Sequence, residues 1–129
     1  MVKNKIKGSK AERELFKIFL ESSYRAVRVA GSGAMESADC DLLAGKKGKK
    51  YAIEVKSTKE QYKYFSKEQI ENFLIFSEIF DLTPVIAIRF NREGWFFISP
   101  NLLEDAGKNF VITLEKAKKD GKRFSQFFD

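Results

Sequence analysis

This sequence predicts an α/β fold, a mixed β-sheet flanked by helices. Three observations carry that prediction. An amphipathic helix pattern opens at Ser9. The stretch "YAIEVKS", 51–57, alternates with the period of a strand. "PVIAIRF", 84–90, is a nearly unbroken apolar run of the kind buried inside a sheet. No linker, repeat or low-complexity block interrupts the 129 residues, so 1–129 read as one domain.

The elements follow in order. Residues 1–8, with Lys3, Lys5 and Lys7, read as a flexible basic arm. "SKAE" has capping-box spacing, with Ser9 as N-cap and Glu12 at N3, and opens a helix to about Ser22. Leu15, Ile18 and Phe19 form its apolar face. "YRAVRVA", 24–30, reads as a strand and "GSGAMESA", 31–38, as a small-residue loop. "CDLLA", 40–44, and "YAIEVKS" are two strands of a hairpin whose basic turn is "GKKGKK". "TKEQYKYF", 58–65, reads as a basic and aromatic connection. A second capping pattern, Ser66 with Gln69, opens a helix to about Phe80. That helix has more apolar positions than one core-facing stripe needs, so either both faces are buried within the chain or the excess forms a partner surface, with Phe73, Phe76 and Phe80 as candidates. "PVIAIRF" and "WFFIS" form a further strand pair. A strand near Phe110–Leu114, a short basic helix and the aromatic tail 121–129 close the chain.

Composition narrows the chemistry. There is no histidine, which removes Ser-His-Asp and Cys-His catalysis and His-ligated zinc. The single cysteine, Cys40, excludes an intrachain disulfide and a multi-cysteine zinc site, and points to a cytoplasmic protein. No apolar stretch is long enough to span a bilayer, and the N-terminus lacks a signal-peptide core. The net charge of +6 suits a polyanionic partner.

One strand face is anomalous. In "YAIEVKS" the side chains of Ala52, Glu54 and Lys56 share a face, which begins apolar and ends in two charges. A Glu–Lys pair on a solvated face is the ordinary explanation. The alternative brings in Asp41, across the hairpin with twelve residues between it and Glu54. Two carboxylates and a lysine then converge among apolar neighbours. Such a set suits a hard divalent cation, with the ammonium placed to orient water or to neutralise a phosphate.

Asp41 followed by Glu54-Val55-Lys56 resembles the PD-(D/E)xK nuclease signature. "GSKAERELFKIFLESSYRAVRVAGSG", "DLLAG", "YAIEVKST" and "PVIAIRFNREGWFFISP" are similar, in order and spacing, to the archaeal Holliday junction resolvases, with Cys40 where the signature has proline. The resemblance implies a restriction-endonuclease-like fold and a homodimer that cuts four-way DNA junctions in homologous recombination and repair. It also implies a Mg²⁺ cofactor, for which Mn²⁺ substitutes. Asp41, Glu54 and the Val55 carbonyl would ligate the ion, and Glu12 would reach it through a water. Lys56 would assist the attacking water, and Ser32 in the loop would contribute to cleavage. Arg13, Arg28 and Arg89 match basic positions that hold phosphate or support the site. Lys3, Lys5, Lys7, Lys10, Lys46 and Lys47 are candidates for backbone phosphate contact. The alternatives are another nuclease of the same superfamily, of restriction or repair type, and a non-catalytic junction-binding module.

The tail carries a separate reading. Phe124, Phe127 and Phe128 have the spacing of peptides that dock on DNA sliding clamps, although Gly121 stands where such peptides carry Gln. The competing reading is a short terminal helix packing its rings on the core.

Overall fold

The structure is a computed structural model that describes residues 2–29 and 39–128, with residues 2–9 described by backbone alone. Helix α1 (Val2–Glu21) leads into β1 (Arg25–Arg28), then β2 (Leu42–Lys46), β3 (Lys49–Thr58) and β4 (Tyr62–Ser66). Helix α2 (Lys67–Ile79), β5 (Thr83–Phe90) and β6 (Gly94–Ile98) follow. A 3₁₀ turn at Pro100–Leu102, β7 (Glu104–Asp105), β8 (Asn109–Thr113), α3 (Leu114–Asp120) and α4 (Phe124–Phe127) complete the chain.

A five-stranded sheet has the order β1-β2-β3-β5-β6, with β3 and β5 parallel and the other pairs antiparallel. The β2–β3 hairpin turns tightly at Lys47 and Gly48, where Gly48 has φ 84°, a value that favours glycine. Strand alternation sends the two sides of β3 into two cores. Ile53 and Val55 pack with Leu15 and Phe19 of α1. Ala52 packs with Ile70 and Phe73 of α2, and with Phe65 and Ile112 of a smaller sheet of order β4-β8-β7. No helix among the described residues is long and apolar enough to cross a membrane.

Four expectations are corrected. The basic stretch 1–8 is not an arm: α1 is helical from Val2, and Ser9 lies inside it rather than at its cap. Lysine loses little side-chain freedom in a helix, and one glycine costs only about 1 kcal/mol, so nothing local forces a start at Ser9. Residues 62–65, part of the stretch read as connection, form β4 together with Ser66, and the strand finds its ladder on the distant β8. Phe73 is fully buried within the chain and cannot serve a partner surface, whereas Phe80 is exposed and Phe76 half-buried.

The fourth concerns the tail, where the packing reading holds. Gly121 allows the chain to turn back after α3, since a Cβ there would sit 2.5 Å from the Ala117 carbonyl oxygen. Lys122 then bridges to Phe97, and the Arg123 guanidinium lies 4.0 Å over the Phe96 ring while donating to the Glu93 and Trp95 carbonyls. Phe128 is buried, with its ring centroid 4.9 Å from Phe19, 5.1 Å from Phe97 and 5.0 Å from Tyr51. Phe124 and Phe127 pack against the same core. Clamp docking would need these three rings free, whereas Phe128 is buried and Phe124 and Phe127 are partly buried against the core.

Candidate active site

The hairpin register builds the site. Leu42 pairs with Ile53, which sets Asp41 opposite Glu54 one step beyond the ladder. The Asp41 N–H donates to the Ile53 carbonyl at 2.9 Å and fixes that approach. Glu54 and Lys56 share the α2 side of β3, as the alternation requires. Glu54 is only 3% exposed, so it is no member of a solvated surface pair.

Each carboxylate has one oxygen engaged and one left over. Asp41 Oδ2 accepts the Val55 N–H at 2.7 Å. Glu54 Oε2 accepts from Gln69 Nε2 at 2.7 Å, and Lys56 Nζ lies 3.5 Å from the same oxygen. Among the described residues no hydrogen bond or ion pair reaches Asp41 Oδ1 or Glu54 Oε1. Gln69 is the functional neighbour that sequence reasoning missed. The capping pattern is half made: the Ser66 hydroxyl accepts the Gln69 N–H at 3.0 Å and caps α2. The Gln69 amide does not return to Ser66 but crosses to Glu54. Only the packing of α2 against β3 could have revealed this.

Burial is the largest cause raising both acids. The Asp41 carboxyl is pushed from its usual 3.8 to about 6, with the charge of Glu12 adding and the Val55 N–H and Lys56 opposing. The Glu54 carboxyl is pushed from 4.5 to about 8, with Asp41 adding and Lys56 opposing. Two desolvated like charges this close favour a cation between them. No cluster of three or more His, Cys, Asp or Glu side chains among the described residues forms a ready-made cage. The two open carboxylate oxygens still fit a hard ion such as Mg²⁺, which takes one or two carboxylates and keeps waters and phosphate oxygens as its other ligands. Cys40 is buried beside them, its thiol pushed up to about 12 chiefly by burial, which keeps it neutral and unreactive.

The raised acids set a stability expectation. A carboxyl with a raised folded pKa holds more protons folded than unfolded, so its favourable contribution is complete below about pH 4 and is lost as pH rises through the folded value. Metal-free protein is therefore expected to lose stability from about pH 5 to pH 9, and Glu54→Gln to lose less. In thermal melts the variant should equal or exceed wild type at pH 8 to 9 without divalent ions. Curves that stay parallel across this range would remove the argument.

The other candidates are dispersed around this centre. Glu12 is engaged by Arg28, Nη2 to Oε1 at 3.3 Å, and its charge helps to raise both Asp41 and Glu54. Arg89 pairs through Nε with Glu14 at 3.0 Å. Lys10, Arg13 and Lys47 are exposed, and Lys46 lies 4.7 Å over the Tyr24 ring. Ser32 lies outside the described residues, as do the side chains of Lys3, Lys5 and Lys7.

Comparison with known proteins identifies the family. Residues 3–128 match the family described as archaeal Holliday junction resolvase (Hjc). A crossover junction endodeoxyribonuclease Hjc of Methanocaldococcus jannaschii is 42% identical over 106 residues, covering 82% of this chain and 75% of that protein. The Archaeoglobus fulgidus protein of the same name is 34% identical, with 96% of each chain covered. The solved structure of Archaeoglobus fulgidus Hjc, a Holliday junction resolvase, superposes with a TM-score of 0.85 at 30% identity, covering 93% of this chain and 98% of that one. The chain therefore belongs to the archaeal Holliday junction resolvase family.

Proposed function

We propose that this chain is a structure-selective endonuclease that resolves four-way DNA junctions in recombination and repair. The observation that carries the reading is the pairing of half-buried Asp41 with buried Glu54, one oxygen of each left open among the described residues and Lys56 beside Glu54, in a chain of this family. Asp41 Oδ1, Glu54 Oε1 and the Val55 carbonyl would hold Mg²⁺, or Mn²⁺ in its place, with Glu12 reaching it through a water. When bound, the ion supplies a Lewis acid that stabilises charge developing on the phosphate. Gln69 and Lys56 both engage Glu54 Oε2, which leaves Oε1 available as a ligand. The Lys56 ammonium stands where it can orient the attacking water and offset charge on the transferred phosphate. Ser32 would contribute to cleavage. Arg13, Arg28, Arg89 and the lysines at 3, 5, 7, 10, 46 and 47 would hold the DNA backbone.

Resolution takes two matched cuts, which suits a two-fold dimer. The later turns of α2 offer the face for it. Leu74, Ile75, Ile79 and Phe80 are exposed there, and Leu74 and Ile75 line a groove with Leu82 and Pro84.

Purified protein on a synthetic four-way junction and on plain duplex, with Mg²⁺ or with EDTA, tests the reading. The expected result is cutting of the junction in Mg²⁺ alone. Equal cutting of duplex would indicate a general nuclease on the same fold, and binding without cutting a non-catalytic module. A monomer in sedimentation at micromolar concentration would remove the dimer.

A further inference from the structure

Strand β4, which follows the strand that carries Glu54 and Lys56, exposes two large rings. Tyr62 is 43% and Tyr64 52% exposed, on the outward side of the strand, while Phe65 turns into the core. The two rings meet edge to face, with centroids 5.4 Å apart at 66°. An edge-to-face pair leaves a ring face open to solvent. Neither ring carries the packing of the small sheet, whose core uses Phe65 and Ile112.

The strand is tied to the site at both ends. Where it begins, the Thr58 hydroxyl donates to the Tyr62 carbonyl at 3.3 Å, and Thr58 lies two positions beyond Lys56 on β3, roughly 7 Å along the strand. Where it ends, Ser66 caps α2, whose Gln69 holds Glu54. The tyrosines thus lie on the strand that links the end of β3, just beyond Lys56, to the helix that carries Gln69.

We propose that Tyr62 and Tyr64 form a stacking surface for a base unstacked at the branch point, next to the phosphate that is cut. This rests on the junction-cutting reading. Aromatic faces accept any base, which suits an enzyme directed by shape rather than sequence. Lys59 precedes the pair and Lys63 stands between the two tyrosines in sequence, against one acid, Glu60, a balance that favours a phosphate backbone. A second copy of this basic chain would bring like charge to the same place. The apolar face offered for a second copy lies instead on the later turns of α2.

The test uses the full chain and a four-way junction carrying 2-aminopurine beside the branch point, in EDTA so that nothing is cut. Tyr62→Leu with Tyr64→Leu should weaken junction binding by about tenfold and abolish the fluorescence change, while duplex affinity stays the same. Tyr62→Phe with Tyr64→Phe should retain both signals, because the ring and not the hydroxyl stacks. Both positions are exposed, so the variants should melt like wild type. Unchanged binding and fluorescence in the leucine variant would overturn the proposal. Dissociation of a dimer by the leucine variant would also overturn it, assigning the rings to a contact between copies. If wild type neither binds nor cuts junctions, the resolvase reading fails first and the stacking surface with it.

Discussion

Asp41→Asn, Glu54→Gln and Lys56→Ala are each expected to lower the rate of junction cutting by about a thousandfold or more. The two amide variants keep shape but remove an anionic oxygen that faces the proposed ion. Lys56→Ala leaves both carboxylates and removes the cation 3.5 Å from Glu54. Loss of about 4 kcal/mol of transition-state stabilisation is enough for that factor. Junction affinity should persist, because it comes mainly from Lys and Arg contacts to phosphates elsewhere. Calorimetry should separate the roles: Asp41→Asn and Glu54→Gln should lose affinity for Mn²⁺, and Lys56→Ala should keep most of it. An exposed Glu–Lys pair would contribute at most about 1 kcal/mol, and its removal would leave activity intact. Normal cutting by any of the three purified variants would defeat the assignment.

Phe128→Ala should be the most damaging change outside the site. The ring is 2% exposed and packs edge to face against Phe19, Phe97, Tyr24 and Tyr51. Truncating such a ring costs about 3–5 kcal/mol, a large share of the stability of a domain this size. The melting temperature should fall by about 10 °C or more. Phe127→Ala should cost less, because that ring is only partly buried. Below its melting point the Phe128 variant should still cut junctions, since Phe128 belongs to the core on the α1 side of the sheet while Glu54 and Lys56 lie on the α2 side. A melt lowered by less than about 3 °C would mean that the tail is not part of the core.

What the sequence disclosed follows from how local each feature is. The period of "YAIEVKS" assigned Ile53 and Val55 to one side and Glu54 to the other, and the hairpin register then brought Asp41 opposite Glu54. Ser66 capped α2 as its spacing promised. "SKAE" promised the same at Ser9, but a capping pattern is a set of side chains that also tolerates the middle of a helix, and α1 runs through it. Strand β4 was hidden because its partner β8 comes more than forty residues later and its alternating Tyr and Lys resemble a solvated connection. The aromatic spacing of the tail fits both a docking peptide and an amphipathic core segment, and only burial separates the two. Gln69 could be placed beside Glu54 only once α2 was set against β3.

The aromatic cluster also bears on the order in which the fold forms. Phe19 belongs to the first helix and Phe128 to the last turn, so their contact closes nearly the whole chain into one loop. Such a contact gains nothing until the intervening sheet exists to bring the two segments together. It belongs on the native side of the folding barrier, after the β2–β3 hairpin and the β3–β5 pairing. Interactions made that late hardly alter how fast a chain folds; they set how slowly it opens. In this protein the tail acts as a latch, and the lifetime of the folded state depends on it.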